Sequence, residues 1–449
     1  MRTDRGGDAE TPGPHDGSQS DICMRSEKSR VEELAIFGGP PLFPYKLHVG
    51  RPNIGDRSAL LDRINDILDR RWLTNDGPYL QQFEKHICEL IGVKHCVAVC
   101  NATIGLEILV KAIGLSGEVI VPSFTFIALA HALQWLGINP VFCDIDPGTH
   151  NLDPSRVKEL ITDRTTGIIG VHLWGRPCDV EQLAAIARRH KLELLFDAAH
   201  ALACSHNGKM IGNFGVAEVF SFHATKIINT FEGGAIVTNA DNLAARLRLI
   251  RNFGFIGYDT VTSLGVNGKM SEVSAAMGLT SLESLEGLVG VNYRNYTEYS
   301  HYLARVPCVS LVKYNEVEKC NYQYIVVEID EMTMGINRDQ LDDIFWAENV
   351  LTRRYFYPGC HGMEPYRAKD PKADVRLPQT QRLARTVLCL PTGSTVSSGE
   401  ITAICKLIEF VAEHGESVRQ RLSTKRIFRD PQRTPLQHVP SIRSRPKVS

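Results

Sequence analysis

Through the first two-thirds of the chain, short unbroken apolar runs alternate with amphipathic stretches, and the two patterns predict different elements. "HCVAVC", "EVIVPS", "NPVFCDID", "TGIIGVHLWG", "LELLFDAAH" and "VAEVFSF" are apolar on both parities, as strands buried on both faces are. Between them the period lengthens. "TIGLEILVKAIGL" puts Leu106, Leu109, Val110 and Ile113 on one helical face. "DVEQLAAIARRH" offers Asp179 as a cap ahead of a stripe of Val180, Leu183, Ala184 and Ala187. Strands alternating with helices predict an α/β domain with a large, mostly parallel sheet and helices on both faces, to which "GGAIVTN" adds a return strand. Such sheets bind ligands at the carboxyl ends of their strands.

The rhythm changes near residue 290. One long helical segment, Ser271 to His301, leads into the strand "YQYIVVEID" and a helix through "RDQLDDIFWAENV". A last helix starts at Ser397, whose partner Glu400 completes an S-x-x-E capping box. This predicts a smaller α+β domain. The boundaries expected are a disordered leader over 1–35, the large domain over 36–290, the small domain over 291–415 and a basic flexible tail over 416–449.

Composition narrows the function. The 449 residues are 43% hydrophobic and 22% charged with a formal net charge of -1, so no global field draws nucleic acid or anionic lipid. From Arg419 to Lys447 nine Lys/Arg face the single Asp430, but aromatics are nearly absent, which fits a solvated tail better than a nucleic-acid arm. No apolar run approaches the roughly 20 residues that span a bilayer, and the leader lacks the apolar stretch of a secretory signal. The 12 cysteines are scattered, and the close pair Cys96 and Cys100 has no histidine partners. Reduced thiols, no metal, no membrane association and a cytoplasmic location are expected.

Three strand ends carry chemistry. In "CNATIGLEI" small residues precede a helix, so backbone N–H groups at Ala102 and Thr103, with the Thr103 hydroxyl, can face a phosphate. Asp197 closes the apolar strand "LELLFDAAH", where a carboxylate is costly to bury without a cation. Lys226 follows "EVFSF" beside Ser221, His223 and Thr225, and the stretch ends on Gly233-Gly234, a tight turn that folds the chain back. Taken singly these read as a packing turn, a helix cap and a loop lysine. Together they match pyridoxal 5'-phosphate, which needs a phosphate cradle, a carboxylate for its ring nitrogen and a lysine for its aldehyde. A dinucleotide-binding dehydrogenase would share the strand–helix alternation, but no G-x-G-x-x-G follows the first strand.

The run "FDAAHA…SFHATK…EGGAIVT" resembles the DegT/DnrJ/EryC1/StrS family of sugar aminotransferases over roughly residues 50 to 415. The resemblance implies a fold type I, aspartate aminotransferase-like transferase in which Lys226 bonds the cofactor and Asp197 pairs with its ring nitrogen. It places His200, where relatives often have Gln, beside the ring. Ser221, Ala102 and Thr103 fall at the phosphate, although relatives usually have Gly where Ala102 stands. Phe126 in "PSFTFIA" matches the aromatic that stacks on the ring, and Asn267 in "GVNGKMSE" an Asn that reaches the phosphate of the neighbouring subunit of a homodimer. Thr74 and Asn75 in "WLTNDGP" fall where family members touch substrate. The implied substrates are a nucleotide-linked keto sugar and L-glutamate. "SFHATK" is closer to the 4-keto branch, implying amination at C4 of dTDP-4-keto-6-deoxy-D-glucose in antibiotic deoxyamino sugar biosynthesis. A 3-keto-sugar aminotransferase and a non-catalytic regulatory member of the fold are the alternatives. The family's deoxygenating branch replaces the lysine with His, which Lys226 excludes.

Overall fold

The computed structural model describes residues 27–424. Seven strands form the central sheet: β1 (His95–Val99), β2 (Glu118–Pro122), β3 (Asn139–Cys143), β4 (Thr165–Val171), β5 (Glu193–Asp197), β6 (Ala217–Ser221) and β7 (Gly234–Thr238). Their spatial order is β1-β7-β6-β5-β4-β2-β3. The pairs β2–β3, β2–β4, β4–β5 and β5–β6 are parallel, whereas β7 runs antiparallel to both neighbours, as a return strand must. Alternate residues of each strand feed different cores. After the helices α1 (Arg57–Arg70) and α2 (Pro78–Ile91) comes α3 (Ala102–Ile113), whose Leu106 and Leu109 pack with Val97, Val99, Val219 and Ile236. Cys96, Ala98, Phe220 and Val237 pack on the other face with Phe83, Ile87 and Leu279. Two-sided burial is why these strands read as unbroken apolar runs.

The helix through Val180–His190 is capped as its sequence predicts, Asp179 accepting the Gln182 N–H at 3.0 Å. The capping box of the last long helix, Ser398–Glu413, also forms, with Ser397 and Glu400 bonded reciprocally. The single helix expected over Ser271–His301 is instead two, Glu272–Glu283 and Leu285–Leu303. At the break the Ser284 N–H bonds the Ser281 carbonyl, and its hydroxyl bonds the Thr280 carbonyl.

The smaller layer is a three-stranded antiparallel sheet of Val309–Leu311, Ile325–Ile329 and Val387–Leu390 with helices against it. Its boundaries differ from expectation. The 290/291 division falls inside Leu285–Leu303, whose Tyr296, Tyr299 and Leu303 belong to the small domain's core. Leu34, Leu42, Phe43 and Leu47 join the same core, so the chain from 27 onward is a packed part of this domain rather than a leader. Glu348 fastens it: the buried carboxylate accepts N–H bonds from Ala35 (2.7 Å) and Leu42 (2.6 Å) and pairs with Lys28 at 3.1 Å. At the other end Gly415–Thr424 is helical and buries Val418 and Leu422 in that core, so these residues are packed structure and not part of the expected tail; the rest of the expected leader and tail lies outside the described residues. Among the described residues no helix is long and apolar enough to cross a membrane.

Candidate active site

Parallel strands leave their carboxyl ends on one edge, and chemistry collects there. Asp197 is the last residue of β5, in register with Val219 of β6. Its carboxylate is buried, and one oxygen accepts the Ala199 N–H at 3.0 Å. Burial raises its pKa, while that hydrogen bond and the charges of Lys226 and His172 act in the opposite sense. Among the described residues it has charge interactions with Lys226 and His172 but no salt bridge, which suits it to receive a cation.

His200 lies three residues on and is buried. The Trp174 N–H donates to its Nδ1 at 3.1 Å, which leaves the ring proton on Nε2. Burial holds its pKa well below the usual imidazole range, and the Lys226 charge pushes the same way, so the ring is neutral. It stacks parallel to Phe356 at 5.9 Å between centroids and lies 4.8 Å from the Tyr324 ring.

Lys226 sits on the loop that leaves β6. The base of the loop is closed by Phe222 N–H to Gly233 O (2.8 Å) and Thr230 N–H to Phe222 O (2.9 Å). The Lys226 N–H bonds the His223 carbonyl at 2.8 Å, a turn that directs its side chain to Tyr324, whose hydroxyl lies 3.3 Å from Nζ. Burial lowers the amine pKa to about 8, against the opposing pull of Asp197.

The third element is the start of α3. Asn101 caps it by accepting the Ile104 N–H at 2.9 Å, which leaves the Ala102 and Thr103 N–H groups without a partner among the described residues. Gly234 explains why this helix end lies against Ser221. It pairs with Ser221 across the β6–β7 ladder, and a Cβ there would stand 2.7 Å from the Ala102 nitrogen and 2.8 Å from the Phe220 carbonyl oxygen. Only glycine lets strand and helix start come so close.

The structure therefore gathers Asp197, His200, Ser221, Lys226, Ala102 and Thr103. Phe126 joins them through its 6.2 Å contact with Phe356, its own ring being 58% exposed. Thr74 and Asn75 are exposed ahead of the helix Pro78–Ile91 and share no hydrogen bond or ion pair with this group among the described residues. Asn267 is exposed too, its backbone bridged to Asn252. Sequence reasoning missed Tyr324 and Phe356. Alternation along "YQYIVVEID" puts Tyr322 and Tyr324 on one face, but Tyr322 has a φ of 49°, which breaks the parity, and packs with Tyr293, Tyr296 and Tyr314 instead.

The model of the DegT/DnrJ/EryC1/StrS aminotransferase family matches residues 56–409. This chain belongs to that family. Among curated relatives it is 36% identical over 362 residues to the dTDP-4-amino-4,6-dideoxy-D-glucose transaminase of Shigella dysenteriae, covering 81% of this chain and 98% of the relative. It is also 36% identical over 315 residues to GDP-perosamine synthase of Caulobacter vibrioides, covering 68% and 83%. Among solved structures it is similar to DesI, determined in the presence of its TDP-sugar product. The TM-score is 0.83 and the identity 48%, over 88% of this chain and 100% of that one. As a member of the DegT/DnrJ/EryC1/StrS family it is a fold type I sugar aminotransferase dependent on pyridoxal 5'-phosphate.

The residues present fit that cofactor. A buried carboxylate without a salt bridge among the described residues suits a ring nitrogen that carries a proton. Unpaired N–H groups at a helix start suit a phosphate. A lysine amine with a pKa of about 8 suits bond formation with an aldehyde, since far more of it is neutral near pH 7 than of an exposed lysine.

Proposed function

We propose that Lys226 bonds the cofactor aldehyde, that Asp197 pairs with its ring nitrogen and that Ser221, Ala102 and Thr103 hold its phosphate, with His200 and Phe126 against the ring. The observation that carries this reading is the convergence of Lys226, Asp197 and the α3 start at one sheet edge. The bound cofactor supplies an electron sink for negative charge at the carbon that loses a proton. Asp197, anionic and buried, keeps the ring nitrogen protonated by charge. Lys226 takes a proton from the substrate carbon and returns one, a task matched by an amine whose pKa lies near neutrality. His200, held neutral through Trp174, orients the ring with its Nε2 proton and adds no competing positive charge.

The amino group comes from L-glutamate and goes to C4 of dTDP-4-keto-6-deoxy-D-glucose; supporting the sugar, the Shigella dysenteriae relative is named a dTDP-4-amino-4,6-dideoxy-D-glucose transaminase and DesI was determined in the presence of its TDP-sugar product. The enzyme works in the cytoplasm, in deoxyamino sugar biosynthesis of the antibiotic type. Two copies form the working unit. Supporting this, Phe255, Ile256, Tyr258, Val261 and Leu264 line one exposed segment, with Tyr258 98% and Leu264 75% exposed, more apolar surface than a lone hairpin leaves to water. In the dimer Asn267 reaches the cofactor phosphate of the neighbouring subunit, and Thr74 and Asn75 touch substrate.

The test is incubation with dTDP-4-keto-6-deoxy-D-glucose, glutamate and pyridoxal 5'-phosphate, with product analysis by NMR. The 4-amino sugar is expected. Conversion only of the 3-keto isomer would refute the C4 assignment, and an active Lys226→Ala enzyme would refute the role of the lysine.

A further inference from the structure

We infer that Tyr324 is a catalytic group of this site: its hydroxyl holds the free amine of Lys226 in place for proton transfer. The inference rests on the reading of Lys226 given above. Among the described residues the Tyr324 hydroxyl is the one side-chain hydrogen-bond partner of Lys226 Nζ, at 3.3 Å.

Tyr324 is held firmly. It comes from the small domain, immediately before the strand Ile325–Ile329. Its carbonyl accepts the Tyr314 hydroxyl at 2.9 Å, and that hydroxyl also lies 3.2 Å from the Trp174 carbonyl. Trp174 in turn donates its N–H to His200. One residue from the large domain therefore fixes both the imidazole and, through Tyr314, the phenol beside it. The ring packs among Phe124, Trp174, Val326 and Phe356 in a water-poor cluster.

The groups facing Nζ divide the work. Asp197 on β5 and His200 on the turn after it act on Nζ through charge, and Tyr324 from the small domain bonds it. Asp197 is committed to the ring nitrogen and His200 is neutral. Tyr324 cannot exchange the proton itself, because burial pushes its hydroxyl far above the usual phenol range. It remains a neutral dipole. When Nζ takes the proton, the C–H electron pair stays with the carbon and the new ammonium donates one N–H to the Tyr324 oxygen. When Nζ gives the proton back, the hydroxyl keeps the amine in reach. A carboxylate in that position would hold the ammonium too tightly to release its proton, and a phenylalanine would leave it to swing.

The experiment compares wild type, Tyr324→Phe and Lys226→Ala as full-length proteins. Visible absorbance of bound cofactor and the melting midpoint first report that Tyr324→Phe is folded and loaded. Its kcat should fall about 10- to 100-fold with KM for the keto sugar within about 2-fold, the signature of a group used in the chemical step rather than in binding. Second, competitive acetylation of the cofactor-stripped proteins, read at Lys226 by mass spectrometry, should be half-complete near pH 8 in wild type. In Tyr324→Phe the midpoint should move to lower pH, because the ammonium loses an acceptor. Wild-type kcat together with an unmoved acetylation midpoint in Tyr324→Phe would overturn the inference. If Lys226→Ala were itself active, the reading of the lysine would fall; an inactive Lys226→Ala beside an unaffected Tyr324→Phe would sink the tyrosine alone.

Discussion

Gly234→Ala tests the phosphate cradle with a single methyl group. The added Cβ would lie 2.7 Å from the Ala102 nitrogen, 2.8 Å from the Phe220 oxygen and 2.9 Å from the Ala102 Cα, about 0.5 to 0.7 Å short of ordinary contact. All three partners are backbone, so no side chain can swing away. Strand β7 is locked by ladders on both sides, which leaves the start of α3 as the part that yields. The overpacking should cost about 1–3 kcal/mol of stability. Displaced N–H groups should also hold a phosphate less well. Losing one hydrogen bond to a charged group costs about 1.5–3 kcal/mol, or roughly 10- to 150-fold in Kd. The assay is titration of cofactor-free protein with pyridoxal 5'-phosphate, followed by visible absorbance, alongside thermal unfolding. Gly287→Ala serves as control, since a Cβ there meets nothing within 4 Å and a helical alanine should stabilise by up to about 1 kcal/mol. A folded Gly234→Ala protein that binds the cofactor as tightly as wild type would refute the placement of the phosphate at α3.

Three other outcomes are expected. Asp197→Asn should lower kcat on the order of 10²- to 10³-fold while leaving the melting midpoint unchanged or higher, because it removes both the ring's counter-charge and a buried carboxylate whose pKa burial has raised; steady-state kinetics and calorimetry check both halves. Glu348→Ala should destabilise by about 3–5 kcal/mol in denaturant unfolding, since it strands the buried Lys28 and two N–H groups. The rate at which cofactor-free protein takes up pyridoxal 5'-phosphate should rise with pH up to about 8 and level off above it, because Lys226 loses its proton there instead of near its ordinary 10.5. A rate still climbing well beyond that point would mean the amine is not desolvated.

Much of this molecule was legible in the chain. All seven central strands stand where unbroken apolar runs predict them, because a strand covered on both faces has no polar parity to confuse the reading. Asp197 and Lys226 were visible as polar residues that interrupt such runs at one end. The small domain was harder. Leu34, Leu42 and Phe43 sit in a Gly- and Pro-rich stretch without period, and what recruits them is Glu348, some 300 residues away in the chain. The break at Ser284 has no proline or glycine to announce it. Tyr324 depended on tertiary placement, since the left-handed backbone of Tyr322 hides which tyrosine faces the lysine.

The role of Lys226 is tested most directly by where the cofactor is attached. Borohydride reduction of the loaded enzyme, followed by proteolysis and mass spectrometry, fixes the cofactor to the amine that bonds it. A reduced pyridoxyl phosphate group is expected on the peptide that carries Lys226 and on no other lysine. Label on another lysine, such as Lys269, or an unlabelled Lys226 peptide from fully loaded enzyme, would contradict it.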